Sequence, residues 1–337
     1  MRLSSVLLGA TLLASAATGS DYKVVKKWKL GGDGGWDYLI ADSAGHRLFI
    51  ARATRVIVVD TKSGMQVGEI PDTPGVHGIA LDYELGRGFT SNGREDTVSV
   101  FNLKSLAVEK KIKVGNGPDA ILYDPFSKRV FTFNGKSSEK SATAIDAAKG
   151  EVVGKIDLGG KPEFAVTDEK GTVFVNIEDT AELVAFDPQK LAVKSRWNLT
   201  GCEEPTGLSI DRKHRLLFTG CGGNKKMVIL DANTGTILAS PPIGDGCDAT
   251  AFDPGRGLAF ASAGDGTITV IKEEIKKDGG NRFSVAQTVT TQKSARTMTV
   301  DTKTHQLFTV GANVTGTRQD RKIEPDSFVA LVVEEVR

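Results

Sequence analysis

Seven positions, one in each copy of an internal repeat, hold Asp37, His77, Asp119, Glu163, Thr206, Asp248 and Arg296, and six of the seven can carry charge. Carboxylates gathered in this number repel one another, and the repulsion raises some of their pKa values unless a cation or guanidinium sits among them. The chemistry on offer is therefore cation binding. Oxygen ligands suit Ca²⁺ or Mg²⁺, and an imidazole beside carboxylates also accepts Zn²⁺ or Mn²⁺. The candidate metal ligands are Asp37, His77, Asp119, Glu163 and Asp248. His77 is the candidate general base, because His46, His214 and His305 fall in turns at the other end of the repeat and read as ordinary surface residues. A second set, Arg52, Asn92, Asn134 and Asn176, follows the repeat's phenylalanine by two or three residues and is expected beside the first. Trp36 could stack on a ligand's flat face or simply pack. Against all of this stands a plainer reading, a hydrated polar channel mouth whose charges pair with Arg296 and Arg52.

Residues so far apart in sequence meet only if the chain returns to one axis. A degenerate hairpin supplies the return. Its best copy is Asn116–Lys136, in which Asp124-Pro125 opens a turn between two extended runs. Taking the turn Asp as anchor, copies fall at Asp42, Asp82, Asp124, Asp168, Asp211, Asp253 and Asp301, spaced by 40, 42, 44, 43, 42 and 48 residues. A Phe follows seven places later in six copies and six places later, at Phe174, in the fourth. A period of 40 to 45 residues built from short strands, with no 3.6-residue periodicity, predicts an all-β seven-bladed β-propeller. Tyr22–Leu30 reads as a strand without a hairpin, and the last repeat lacks its fourth strand. The N-terminal strand is therefore expected to complete the last blade and close the ring. Third strands mostly end on a turn-former (Asp60, Asn102, Asp146, Asp187, Asp231), expected to hold the next hairpin, and the anchor aspartates are expected to be structural. Two insertions, 272–282 and 312–326, read as surface loops, the second either a lid over the mouth or without a role.

Composition narrows the field. Lys+Arg number 43 and Asp+Glu 42, so no global field draws the chain to nucleic acid or to an anionic membrane. Residues 1–20 carry Arg2, an apolar run too short to span a bilayer, and Ala14-Ser15-Ala16. They read as a cleaved signal peptide ahead of a propeller over 21–337, and predict a periplasmic or secreted monomer with no transmembrane segment in its mature form. Cys202 and Cys221 flank antiparallel strands and are expected to bond, leaving Cys247 as the odd thiol. Pairing of Cys221 with Cys247, or a soft-metal site of all three sulfurs, are the alternatives. Two sequons, at Asn198 and Asn313, would matter only in a eukaryotic secretory pathway.

The Asp-Pro hairpins, the Asp-x-x-x-Gly bends after third strands, the export signal and the seven-fold count resemble the YncE-like, YVTN-repeat family of seven-bladed propellers, over roughly residues 21–337. Pro118-Asp119-Ala120 and Pro205-Thr206-Gly207 fit that family's entry to the inner strand, whereas Cys247-Asp248-Ala249 and Ala295-Arg296-Thr297 depart from it. The resemblance implies a binding or scaffold role for a small polar ligand or a protein or peptide segment. Similar propellers also imply an alternative, a metal-assisted lactonase- or lyase-type enzyme using the same site. No HExxH, P-loop, GxGxxG after a strand, GxSxG elbow or CxxCH occurs, so hydrolase, nucleotide and redox-cofactor readings lack sequence support.

Overall fold

The structure, a computed structural model, describes residues 21–136, 139–276, 280–316, 320 and 322–336. The signal-peptide expectation for 1–20, and residues 317–319 and 321 of the second insertion, lie outside the described residues. Seven four-stranded antiparallel sheets form the seven blades of a β-propeller. Blade three shows the pattern: Pro118–Asp124, Arg129–Asn134, Ser141–Asp146 and Glu151–Asp157 pair in order from the axis outward. Inner strands neighbour one another around the ring, and Leu39–Asp42 of blade one meets Met298–Asp301 of blade seven. No described helix is long and apolar enough to cross a membrane.

Closure follows the expectation. Blade seven runs Met298–Asp301, Gln306–Gly311, Val329–Val336, and its outer edge is Asp21–Lys29, from the other end of the chain. The phenylalanine seven places past each anchor, or six in the fourth copy, explains why blades adhere. Phe49, Phe89, Phe131, Phe174, Phe218, Phe260 and Phe308 are all fully buried, each in a second strand. Period-two alternation turns them to a blade's face, where the next blade packs.

Turn chemistry is equally local. Oδ1 of Asp60 accepts from the amides of Lys62 and Ser63, and the same pattern recurs at Asn102, Asp146, Asp187 and Asp231. Anchor aspartates cap their own turns in the same way, as Asp82 does for Glu84 and Leu85. The turn histidines differ from their surface reading: only His46 is exposed, whereas His305 Nδ1 lies 2.7 Å from Asp253 and His214 touches Asp211. The insertion at 272–282 is partly strand, because Thr267–Glu274 and Arg282–Thr290 extend into its two ends. In the other insertion Val314–Thr315 pairs with Lys322–Ile323.

Cys202 and Cys221 are bonded, and Cys247 is a buried free thiol held well above its usual pKa by burial and by the Asp248 charge. The bridge spans 19 residues. Its reduction is expected to lower stability by about 3 kcal/mol by the loop-entropy relation, read as a shift in the denaturation midpoint with and without reductant. An unchanged midpoint would show that the hairpin already constrains these residues in the unfolded chain.

Candidate functional site

Inner strands begin at one end of the ring, and the residue five before each anchor marks that rim. Five rim residues form a continuous chain of charge. Arg296 Nε bonds Asp248, Arg296 Nη2 lies 3.9 Å from Asp37, Asp37 Oδ2 is 2.6 Å from His77 Nδ1, and that nitrogen is 3.5 Å from Asp119. Farther round, Lys161 Nζ is 2.7 Å from Glu163 and also bonds Glu178. The side chains stay within reach of solvent, from 9% exposed at Glu163 to 38% at Lys161.

Electrostatics mark this rim as short of positive charge. Burial raises the Asp37 and Asp119 carboxyls, with Asp248 and Asp37 respectively adding repulsion and His77 opposing it. Burial, then the Asp119 charge, pushes Glu163 up to about 8 in spite of Lys161. For His77, burial alone would lower the pKa, but the Asp37 hydrogen bond and the charges of Asp119, Asp37 and Glu163 carry it up to about 9. Arg296, opposed by its own burial, is raised by Asp248 and Asp37. Ligand atoms of Asp37, His77 and Asp119 all lie within 4.8 Å of one another, so one small cation could touch all three once it displaced the His77 proton.

The remaining sequence candidates pair beside the rim strands but spend their polar groups within the fold. Asn92 donates to Thr97 and Ser99, Asn134 to Ser141 and Thr143, and Asn176 to the carbonyls of Thr206 and Gly207; all three are fully buried. Second strands lie one hydrogen-bonded step, about 4.8 Å, farther from the axis, and their side chains point to blade faces. Thr206 is on the rim strand but turns its hydroxyl to the Cys247 carbonyl at 2.7 Å, tying blades five and six. Arg52, 1% exposed, donates to carbonyls of Gly31, Gly32, Asp33, Gly34 and Gly35, and its guanidinium lies 3.8 Å over the Phe328 ring. It folds the loop before blade one and does not balance the rim. Trp36 is buried against Phe328.

Two aromatic residues escaped the sequence reading. One residue past the rim position stand Tyr38, Gly78, Ala120, Phe164, Gly207, Ala249 and Thr297. Tyr38 and Phe164 come from blades one and four, yet their ring centroids are 5.1 Å apart, so they meet across the axis and floor the mouth. Burial and the charges of Asp248, Asp119, Glu163 and Asp37 hold the Tyr38 phenol well above its usual pKa. Below this floor the channel widens into a cavity of about 450 Å³ lined by inner strands, among them Ala80, Leu122, Val166 and Phe252. Aromatic residues among small ones at a single repeat position were the available signal.

No protein-family model matches this chain, and no curated protein matches its sequence. Solved structures do. A structure titled "Structure of U3-55K" is similar over 93% of this chain and 98% of its own, at 10% identity and a TM-score of 0.74. Another, "Crystal Structure of Mitotic Checkpoint Complex", is similar over 100% of this chain and 99% of its own, at 11% identity and a TM-score of 0.75. At such identities the likeness is one of fold: both share the seven-bladed propeller architecture of WD40 type.

Proposed function

We propose that this chain is an exported binding propeller whose rim takes a positively charged group, the ammonium or guanidinium of a small polar ligand or of a partner's segment. One observation carries the reading. Five carboxylates (Asp37, Asp119, Glu163, Glu178, Asp248) share three cationic groups (His77, Lys161, Arg296) above a closed aromatic floor. A cation entering that pocket relieves repulsion already present there, and few other charges need to move. The Cys202–Cys221 bond supports export, since such bonds persist in oxidising compartments. The repeat period and the Asp-Pro turns at Asp124 and Asp253 support kinship with the YncE-like propellers. One of the similar structures is of a complex, which is in keeping with a protein partner.

The convergence of Asp37, His77 and Asp119 favours a second reading, in which a divalent ion occupies that corner and polarises a carbonyl oxygen in a lactonase- or lyase-type reaction. Calorimetry with arginine amide and with Mn²⁺ separates the two. Arginine amide is expected to bind, and Asp119→Asn to weaken it at least tenfold. Failure of arginine amide to bind would remove the first reading. Tight Mn²⁺ binding lost in His77→Ala would favour the second.

A further inference from the structure

On the face opposite the rim, and whatever the rim binds, each anchor carboxylate caps its own turn and is also approached by the next blade. Asp42 faces Tyr83 and Asp82 faces Tyr123. Asp124 accepts from Thr167 at 2.5 Å, Asp168 from Arg215 at 2.8 Å, Asp253 meets His305 at 2.7 Å and Asp301 accepts from Ser43 at 2.5 Å. Four blade junctions thus bond a donor to the carboxylate, and at two more a phenol stands near it, although Asp82 Oδ2 accepts no hydrogen bond among the described residues. At the seventh, blade six presents to Asp211 another carboxylate, Glu273.

Geometry sharpens the anomaly. Asp211 Oδ1 is taken by the amides of Lys213 and His214, while Oδ2 touches His214 Nδ1, from which Glu273 Oε1 is 3.1 Å away. Side chains of Asp211 and Glu273 are each 2% exposed, and neither Glu273 oxygen receives a hydrogen bond among the described residues. Lys213 is the nearby cationic residue felt by Glu273, but among the described residues it forms no ion pair with it. The Glu273 amide, bonded to the Gly257 carbonyl at 3.2 Å, holds the segment against blade six's own turn. Two buried carboxylates facing one imidazole nitrogen are costly unless a proton or a bound cation is shared among them.

We infer that Asp211, His214 and Glu273 form a divalent-cation site on the face opposite the rim, taking an ion of the Zn²⁺ or Mn²⁺ class. With its proton on Nε2, His214 turns the Nδ1 lone pair toward both carboxylates, and the three ligand atoms lie within 4.8 Å of one another. One nitrogen and two carboxylate oxygens suit these borderline ions better than Ca²⁺, which prefers oxygen alone. His214, 31% exposed, leaves a side open for entry and for a water as the remaining ligand. The ion would take at this junction the place that Thr167, Arg215, His305 or Ser43 takes at others.

The test uses the full chain with His77→Ala, and independently with Asp119→Asn, so that the rim cannot report. Zn²⁺ is the probe at pH 7.5, read by calorimetry and by metal content after gel filtration. About one equivalent is expected, with Glu273→Gln and His214→Ala each weakening binding at least a hundredfold. EDTA is expected to lower the melting temperature of the parent and leave that of Glu273→Gln unmoved. Zn²⁺ affinity unaffected by Glu273→Gln would overturn the site. So would absence of Zn²⁺ together with a Glu273→Gln protein that melts higher in EDTA, the sign of a shared proton.

Discussion

Removal of residues 21–30 is expected to cost this protein most of its stability and to leave it prone to association. The deleted segment completes blade seven by pairing with Val329–Val336 along nearly its whole length, so its loss bares an eight-residue edge strand rich in Val. Its side chains also reach into two junctions. Tyr22 meets Phe260 of blade six at 5.4 Å, and Trp28 stacks on Phe308 at 6.0 Å while lying over Gly64, where any Cβ would collide with the indole. Full burial of a large apolar side chain contributes roughly 1.5–3 kcal/mol, and with Tyr22 buried and Val24, Trp28 and Leu30 partly so, the four together supply less than about 12 kcal/mol. Net stability of a whole domain is only about 5–15 kcal/mol. Chemical denaturation of the truncated chain should show a collapsed or broadened transition, and gel filtration should show oligomers through the unpaired edge. A truncated monomer with an unchanged midpoint would mean that blade seven closes without its outer strand.

Stability is also expected to fall as pH rises from about 4.5 to 9, the reverse of the usual carboxylate behaviour. Glu163 titrates near 4.5 when unfolded and near 8 in the fold, so folding favours its protonated form, and that contribution erodes between those values. His77, raised to about 9, contributes below pH 6.5 and loses the contribution as pH passes 9. Both run the same way. Glu163 is nearly buried but shares its shift with Lys161 and Asp119, which brings its part down to on the order of 2 kcal/mol from the 1.36 kcal/mol per unit relation. His77, over a third exposed, adds less than about 1 kcal/mol after solvent screening. Glu273, pushed up to about 8 by burial and by Asp211, acts in the same direction, so the decisive quantity is a difference. Glu163→Gln should be more stable than the parent by about 1–2 kcal/mol at pH 8.5 and nearly equal to it at pH 5. Parallel profiles for the two proteins would show that Glu163 is not the strained group. The same substitution should weaken arginine amide binding above pH 8, where the parent's carboxylate is ionised.

The architecture was open to reading because it is written in local, repeated terms. An Asp-capped turn, a phenylalanine seven residues on and an extended run are each set by neighbours in sequence, and seven copies with an orphan strand at one end allow little besides a closed ring. The rim was legible for the same reason: one register position per copy places Asp37, His77, Asp119, Glu163, Asp248 and Arg296 at one end of the inner strands. Side-chain direction was not legible. Asn92, Asn134 and Asn176 sit at the right height along the axis but on strands one step outward, where Asn92 and Asn134 bond to the third strand of their own blade and Asn176 to carbonyls of the next. Contacts between distant blades were invisible as well. Nothing near Tyr38 announces Phe164, and nothing near Asp211 announces Glu273, because those meetings depend on how far the ring curves and how adjacent blades slide past each other. Repetition along the chain therefore determined the wheel and the composition of its hub, while the floor of the hub and the odd junction were decided only when the blades packed.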